Sequence, residues 1–461
     1  MPTVVPGEAL ERLYKAATRK VWFRLVPVLV FAYLLNYLDR TNIALAKTQL
    51  GVDLGISAAA FGLGAGIFFL AYCLLEIPSN LLLHRFGARR WISRIVISWG
   101  AISTLTMFVQ GETSFYIMRF LLGVAEAGFY PGMLFYFTLW FAARDRAVAV
   151  GILLIAPNAA TVFGSPLGGA LMTLDGTLGL QGWQWLLLLE GLPTVAFGVF
   201  LWFYLPNGPA DARWLTGNEK QALITTVEAS APSEERNHSV ATALKSVFTS
   251  GVLLSIGVIY FVTQFSVYGI TFFMPSIVES FGVSGSLAIG AISGLPAVGA
   301  LIGVVVYPRL FRTYGRPLVF VAIAMSVAAI AALIAANSAP AVSLLTLAVM
   351  QFFLIGTTPV LWSLAMGRIS GVQSAAGLAL INSIGLLGGF FGPNVFGIAE
   401  SRTGDPSSAI ALLTIAAIVA LGVAGLLGYL LRRNPAPAEP VPGDHNDTPV
   451  TTVPAGTGTN Q

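Results

Sequence analysis

The chain has 461 residues, 56% of them hydrophobic and only 10% charged, with a mean hydropathy of +0.79. An ordinary soluble domain carries about 25% charged residues, which excludes that class. The net charge of +4 decides nothing, because the basic residues are unevenly spread, and the single Cys73 leaves no internal disulfide to form.

In chain order, the segment before Trp22 is polar and basic and lacks the cleavage pattern of a signal peptide, so the first apolar run is expected to stay in the protein. Polar islands then bound twelve apolar runs, each long enough to cross a hydrocarbon core of about 30 Å. They lie at roughly 22–47, 58–84, 91–110, 114–141, 146–172, 184–205, 248–274, 285–308, 318–336, 340–366, 372–400 and 407–431. The pattern predicts an all-α membrane protein: an N-terminal segment 1–21, a six-helix bundle 22–205, a linker 206–247, a second six-helix bundle 248–431 and a disordered tail 432–461. Two such halves around a shared central site is the organisation of a transporter.

Cytoplasmic loops retain Lys and Arg. All but four of the 25 basic residues fall in the N-terminal segment, the alternate loops on the same side, the linker and the end of the last span. Both termini are therefore expected in the cytoplasm. Lys47 and Arg402 fall on the other side, and Arg40 and Arg119 lie within spans.

Charges within spans carry the functional argument. Each costs roughly 2.5–3.5 kcal/mol near the bilayer centre and persists mainly where it meets a polar cavity or a partner. Asp39 and Arg40 are adjacent in the stretch YLLNYLDRTN, Tyr33 to Asn42, and so sit about 100° apart around the helix. They either line a solute path or form a structural ion pair with neighbouring helices. On a rise of 1.5 Å per residue, Arg40 lies roughly 9 Å and Arg119 about 8 Å from the outer edge. Glu126, seven residues after Arg119, lies about 10 Å deeper on nearly the same face. The expectation is a ladder in which Asp39 and Glu126 carry protons, Arg40 holds an anion and Arg119 supports the coupling. A carboxyl there is pulled one way by desolvation and the other by nearby cations, and so can exchange a proton near neutral pH. Arginine stays charged and offers a planar fork that matches a carboxylate. The alternative for Glu126 is a permanent pair with an arginine.

Other polar groups signal less. Tyr72 and Glu76 are four apart on one face of span 2. Glu76 and Glu190 are expected to be structural. Gln264, Trp362, Asn158 and Asn382 are candidate neutral site groups, although an isolated amide in a span is as often an interhelical hydrogen bond. The runs FGLGAG, FGSPLGG and IGLLGGFFGP favour close helix packing and follow no strand, which rejects a nucleotide loop. His84, His238 and His445 have no metal-site spacing. Neither an enzyme nor a cofactor is indicated.

The runs NYLDRTNIALA (36–46), EIPSNLLLHRFGARRWISR (76–94), RFLLGVAEAGFYPG (119–132), GWQWLLLLEGLP and FYLPNGPADARWLT are not generic apolar text. Through them the chain resembles the major facilitator superfamily, and within it the anion:cation symporter family of tartrate, phthalate and hydroxyphenylacetate permeases, over about residues 20–432. The resemblance implies protonation at Asp39 and Glu126, a coupling role for Arg119, and a substrate cavity lined by Arg40, Tyr37, Tyr72, Asn158, Trp362 and Asn382. It departs from the family in the loop motif after span 2, where Asn80 replaces a glycine and His84 an aspartate, and after span 8, where Tyr307 stands in place of the acid. The expected function is proton-coupled uptake of a small organic carboxylate (a hydroxy acid, sugar acid or aromatic acid) by a monomer in the cell membrane, without nucleic acid. The alternatives are anion exchange, solute/proton antiport, or a sensor that does not transport.

Overall fold

A computed structural model describes residues 7–230, 248–368 and 371–433, the side chains of 371–376 excepted. Among the described residues there is no strand, and twelve helices are long and apolar enough to cross a membrane. Spans 1 to 6 are Glu8–Leu54, Ala58–Phe86, Ala88–Phe108, Glu112–Trp140, Ala143–Met172 and Gly182–Tyr204. Spans 7 to 12 are Gly251–Ser280, Ser286–Tyr314, Pro317–Ala336, Pro340–Met366, Gly377–Thr403 and Pro406–Arg433. A helix satisfies its own backbone polar groups, which is why each apolar run takes this form in lipid.

Several helices outrun their apolar stretch. Span 8 continues through Arg309 and Arg312 to Tyr314, where hydropathy alone ended it near 308. Hydropathy marks the end of the hydrocarbon, whereas the helix ends only at a cap, here Gly315 in the left-handed region at φ 62°. The N-terminal segment is likewise helical over Gly7–Arg24 and runs into span 1. The linker forms a helix, Gly217–Ala229, started by a capping box between Thr216 and Glu219. Residues 231–247 of the predicted linker, and 434–461 of the predicted disordered tail, lie outside the described residues.

Lys20 Nζ meets Glu219 Oε1 at 2.7 Å, which puts the N-terminal helix and the linker helix on one face of the molecule, the terminal face. Gly251 at the start of span 7 lies against Leu430 near the end of span 12, so the last helix ends on that face too.

Within the first bundle the closest partners are spans 3 and 6 and spans 2 and 4, and within the second spans 7 and 11, 8 and 10, 9 and 10, and 9 and 12. The bundles meet along spans 2 and 11, spans 5 and 8, and spans 1 and 7. Glycines allow these approaches: a Cβ on Gly290 of span 8 would collide with the Ser165 carbonyl of span 5, and one on Gly62 with the Pro393 carbonyl. The terminal-face segments Phe129–Trp140 and Ala143–Leu153 of spans 4 and 5 do not pack extensively on the second bundle. The halves therefore close over the far face and part toward the terminal face. Gly290→Val should wedge that closed face open. Overpacking a tight contact costs about 1–3 kcal/mol, so uptake by proteoliposomes should fall about tenfold while the protein still elutes as a folded species.

Candidate functional site

A broken helix frames the centre. Span 1 runs on through Asn42, which is right-handed helical at φ −69° and ψ −19° and bonds back to the Leu38 carbonyl, so Arg40 lies inside that helix. Span 4 is interrupted after Glu126, the last residue of Glu112–Glu126. Gly128 there has φ 83°, a left-handed conformation that only glycine adopts without strain. An anion is disfavoured at a helix C-terminus, so Glu126 needs a positive partner.

That partner is Arg40. Its Nη2 donates to Glu126 Oε2 at 2.8 Å, with the two side chains 8% and 0% exposed. Asn36 Nδ2 donates to the same oxygen at 2.8 Å, and Arg40 also reaches Asn36 Oδ1 at 3.3 Å. Glu126 Oε1 and Arg40 Nε find no partner among the described residues, so the pair is not saturated. Aromatic rings enclose the guanidinium: its carbon lies 4.8 Å from the ring centres of Tyr37 and Phe68 and 5.4 Å from that of Tyr72. Arg119 approaches the same Phe68 ring at 5.1 Å, and Phe272 at 5.8 Å, while its Nε reaches only the Gly64 carbonyl at 3.4 Å.

The expected ladder needs correcting. The long side chain of Arg40 reaches Glu126 directly, so the two are one unit rather than separate levels. Asp39 does not join them. It turns to span 3, accepting from Trp99 Nε1 at 2.7 Å and Ser103 Oγ at 2.9 Å. The rotation of about 100° between adjacent helical residues is the reason. Nearby, Asn42 of span 1 donates to Glu190 of span 6, a structural role of the kind expected for that acid. Asp39→Asn would leave one of its two donors facing an amide nitrogen. An unsatisfied buried donor costs about 1–3 kcal/mol, to be read as a lower denaturation midpoint of the purified protein.

The other expected site residues divide. Tyr37 meets Tyr268 of span 7 with hydroxyls 3.3 Å apart, and Trp362 meets Tyr260 with ring centres 5.5 Å apart. Asn382 donates to both oxygens of Glu76, at 3.2 and 3.4 Å, across the two bundles. Asn158 and Gln264 are half-buried and stand outside this hydrogen-bonded network. Sequence reasoning missed Asn36, Tyr260 and Tyr268. Asn36 was within reach, four residues before Arg40 and so on its face. The tyrosines of span 7 carry no signal until the halves are docked. Lys47, expected at the far end of span 1, is 6% exposed and pairs with Glu400 at 2.6 Å and Ser276 at 3.0 Å. His84 is exposed, with its ring 4.3 Å from that of Phe135, and Tyr307 donates to the Phe320 carbonyl at 2.6 Å. Among the described residues no group of three or more His, Cys, Asp or Glu could hold a metal ion.

The family model described as Major Facilitator Superfamily matches residues 29–393. A relative from Agrobacterium vitis named "Putative tartrate transporter" is 40% identical over 421 residues, covering 90% of this chain and 93% of its own. A relative from Acinetobacter baumannii named "Quinolone resistance transporter" is 37% identical over 412 residues, covering 88% of this chain and 94% of its own. Among solved structures, a bacterial homologue of the human lysosomal transporter Spinster, inward-facing and unoccupied, superposes with a TM-score of 0.73 at 19% identity, over 91% of this chain and 98% of that one. At that identity the likeness shows the fold alone.

Proposed function

We propose that this chain, which belongs to the Major Facilitator Superfamily, takes up a small organic carboxylate together with protons. Its family and its transporter-named relatives make it a multi-pass carrier of organic solutes in the cell membrane, and not an enzyme. The carboxylate and the proton are the steps beyond that. One observation carries them: a ring-enclosed arginine, central to the molecule, is held by a buried carboxylate that has no other cation in ion-pair contact among the described residues.

A solute carboxylate and Glu126 compete for one guanidinium. While Glu126 is ionised it occupies Arg40, and an incoming anion meets both a blocked donor and a like charge. Protonation of Glu126 cancels that charge and frees Arg40 for the solute. The linkage is reciprocal, so a bound solute carboxylate also favours the proton on Glu126. Arg119, close by and without an ion pair among the described residues, keeps the potential positive while the proton is aboard. Asp39, fastened to span 3, is assigned as a second proton site that ties the position of span 1 to the rest of its bundle. With both termini cytoplasmic, as the basic loops indicate, the arrangement seen is closed outward and parted inward, and transport proceeds by rocking of the halves.

Proteoliposomes test this. External acid should drive accumulation of a carboxylate, and a protonophore should collapse it. The relative named for quinolone resistance favours a second reading, solute/proton exchange. In that case internal acid, not external acid, would drive uptake. An absolute need for an internal counter-anion would favour anion exchange.

A further inference from the structure

Resting on the carboxylate reading of the centre, we propose that Glu76 and Asn382 form a second polar pole of the solute site. The acid it selects carries a hydrogen-bond donor, a hydroxyl or an ammonium group, at the end remote from its carboxylate.

Tyr72 and Glu76 stand four apart on span 2 and so share a face. The Tyr72 ring lies 5.4 Å from the Arg40 guanidinium carbon, so that face looks into the space Arg40 occupies. Glu76 lies one turn, about 6 Å, further toward the terminal face, at a level where the halves still touch. It is half-buried and takes part in none of the ion pairs among the described residues. Among the described residues its hydrogen bonds come from one amide nitrogen, that of Asn382, at 3.2 and 3.4 Å. A carboxylate offers about four acceptor positions, so most of its capacity is unfilled. An acceptor-only group a short way from an anion-holding arginine repels a second negative end, gains nothing from a methyl group and rewards a donor. Asn382 supplies the complementary donor and acceptor from the second bundle, so the pole is complete only when the halves are together.

The test uses purified full-length protein and four straight-chain acids in thermal-shift titrations: pentanoate, 4-hydroxybutyrate, 4-aminobutyrate and glutarate. The first three differ only in whether the remote end is methyl, hydroxyl or ammonium. Wild type should favour the hydroxy or the amino acid over pentanoate by about tenfold, and glutarate should be the weakest. Which of the two donors is preferred separates an alcohol from an amine as the natural remote group. Glu76→Gln should reduce the preference at least to about a third and improve glutarate, and Glu76→Met, of similar volume, should abolish the preference. Equal binding of pentanoate and the donor-bearing acids to wild type overturns the proposal. So does a preference that survives both substitutions, which would make Glu76 and Asn382 a clasp between the halves, and so does a preference for glutarate. If none of the four shifts the transition, and external acid drives no carboxylate uptake, the carboxylate reading falls and this inference with it.

Discussion

Proteoliposomes carrying Glu126→Gln are expected to lose acid-driven accumulation altogether while binding the solute about tenfold more tightly than wild type. The two effects have one cause. Glutamine keeps the shape of Glu126 and still accepts from Asn36 Nδ2, which now bonds Oε2 at 2.8 Å, but it carries no charge to hold Arg40. A hydrogen bond to a charged group contributes about 1.5–3 kcal/mol, and each 1.4 kcal/mol is tenfold in an equilibrium constant. Relieving the competition should therefore show as tighter binding of at least that order. Accumulation fails because nothing at the position takes up or gives back a proton. Exchange of labelled for unlabelled solute needs no net proton movement and should persist within a few-fold of wild type. Arg40→Ala supplies the contrast, since it removes the anion's partner and should abolish binding and exchange together. If Glu126→Gln still concentrates solute under a pH gradient, the proton does not travel through this pair. If it binds no tighter, solute and Glu126 do not share the guanidinium.

How much of this could be read from the sequence depends on what kind of contact is involved. The twelve helices were legible because lipid leaves an apolar run one way to satisfy its backbone, and the clustered basic residues divided the loops into two sets. That Arg40, Glu126 and Arg119 are candidates was legible because charge in a span is costly and persists mainly beside a cavity or a partner. Their pairing was not. Helical rise fixes the level of a Cα, but an arginine side chain spans more than one turn, and this erased the separation expected between Arg40 and Glu126. The 100° step between residues 39 and 40 was known, yet which neighbour each would meet depended on the order of helices around span 1, and that placed Asp39 against Trp99 and Ser103. Contacts between the halves were the least legible. Glu76 with Asn382, Tyr37 with Tyr268 and Lys47 with Glu400 are separated by 306, 231 and 353 residues, and no local pattern links such partners.

The last of these pairs should govern which face is open, and Glu400→Ala is expected to shift the resting population toward an open far face by well over tenfold. Lys47 belongs to the first bundle, whereas Glu400 and Ser276 belong to the second. With the far face closed the pair is 7% and 16% exposed; when the halves separate there, both charges return to water. An intact buried pair roughly balances its own desolvation and adds little net stability to closure. Removing one partner is different, because the surviving ammonium is then dry and unpaired in one state only, at a cost of about 3–5 kcal/mol. The open state escapes that cost, so the equilibrium must move toward it. Ala44, 3% exposed and lining the small void between the halves with Thr41, Ser165 and Ile270, reports the change. In a Cys73→Ser background, Ala44→Cys should react with an impermeant maleimide from the far face at least about tenfold faster once Glu400→Ala is present. Net uptake should fall, because reclosure is disfavoured. Exchanging the charges, Lys47→Glu with Glu400→Lys, restores opposite signs across the same gap and should return both labelling and uptake toward wild type. A mere packing defect would be deepened by that second substitution, so failure of the exchange to rescue, or unchanged labelling in Glu400→Ala, would show that closure of this face rests on the helix contacts at Gly290 and Gly62 rather than on the charge pair.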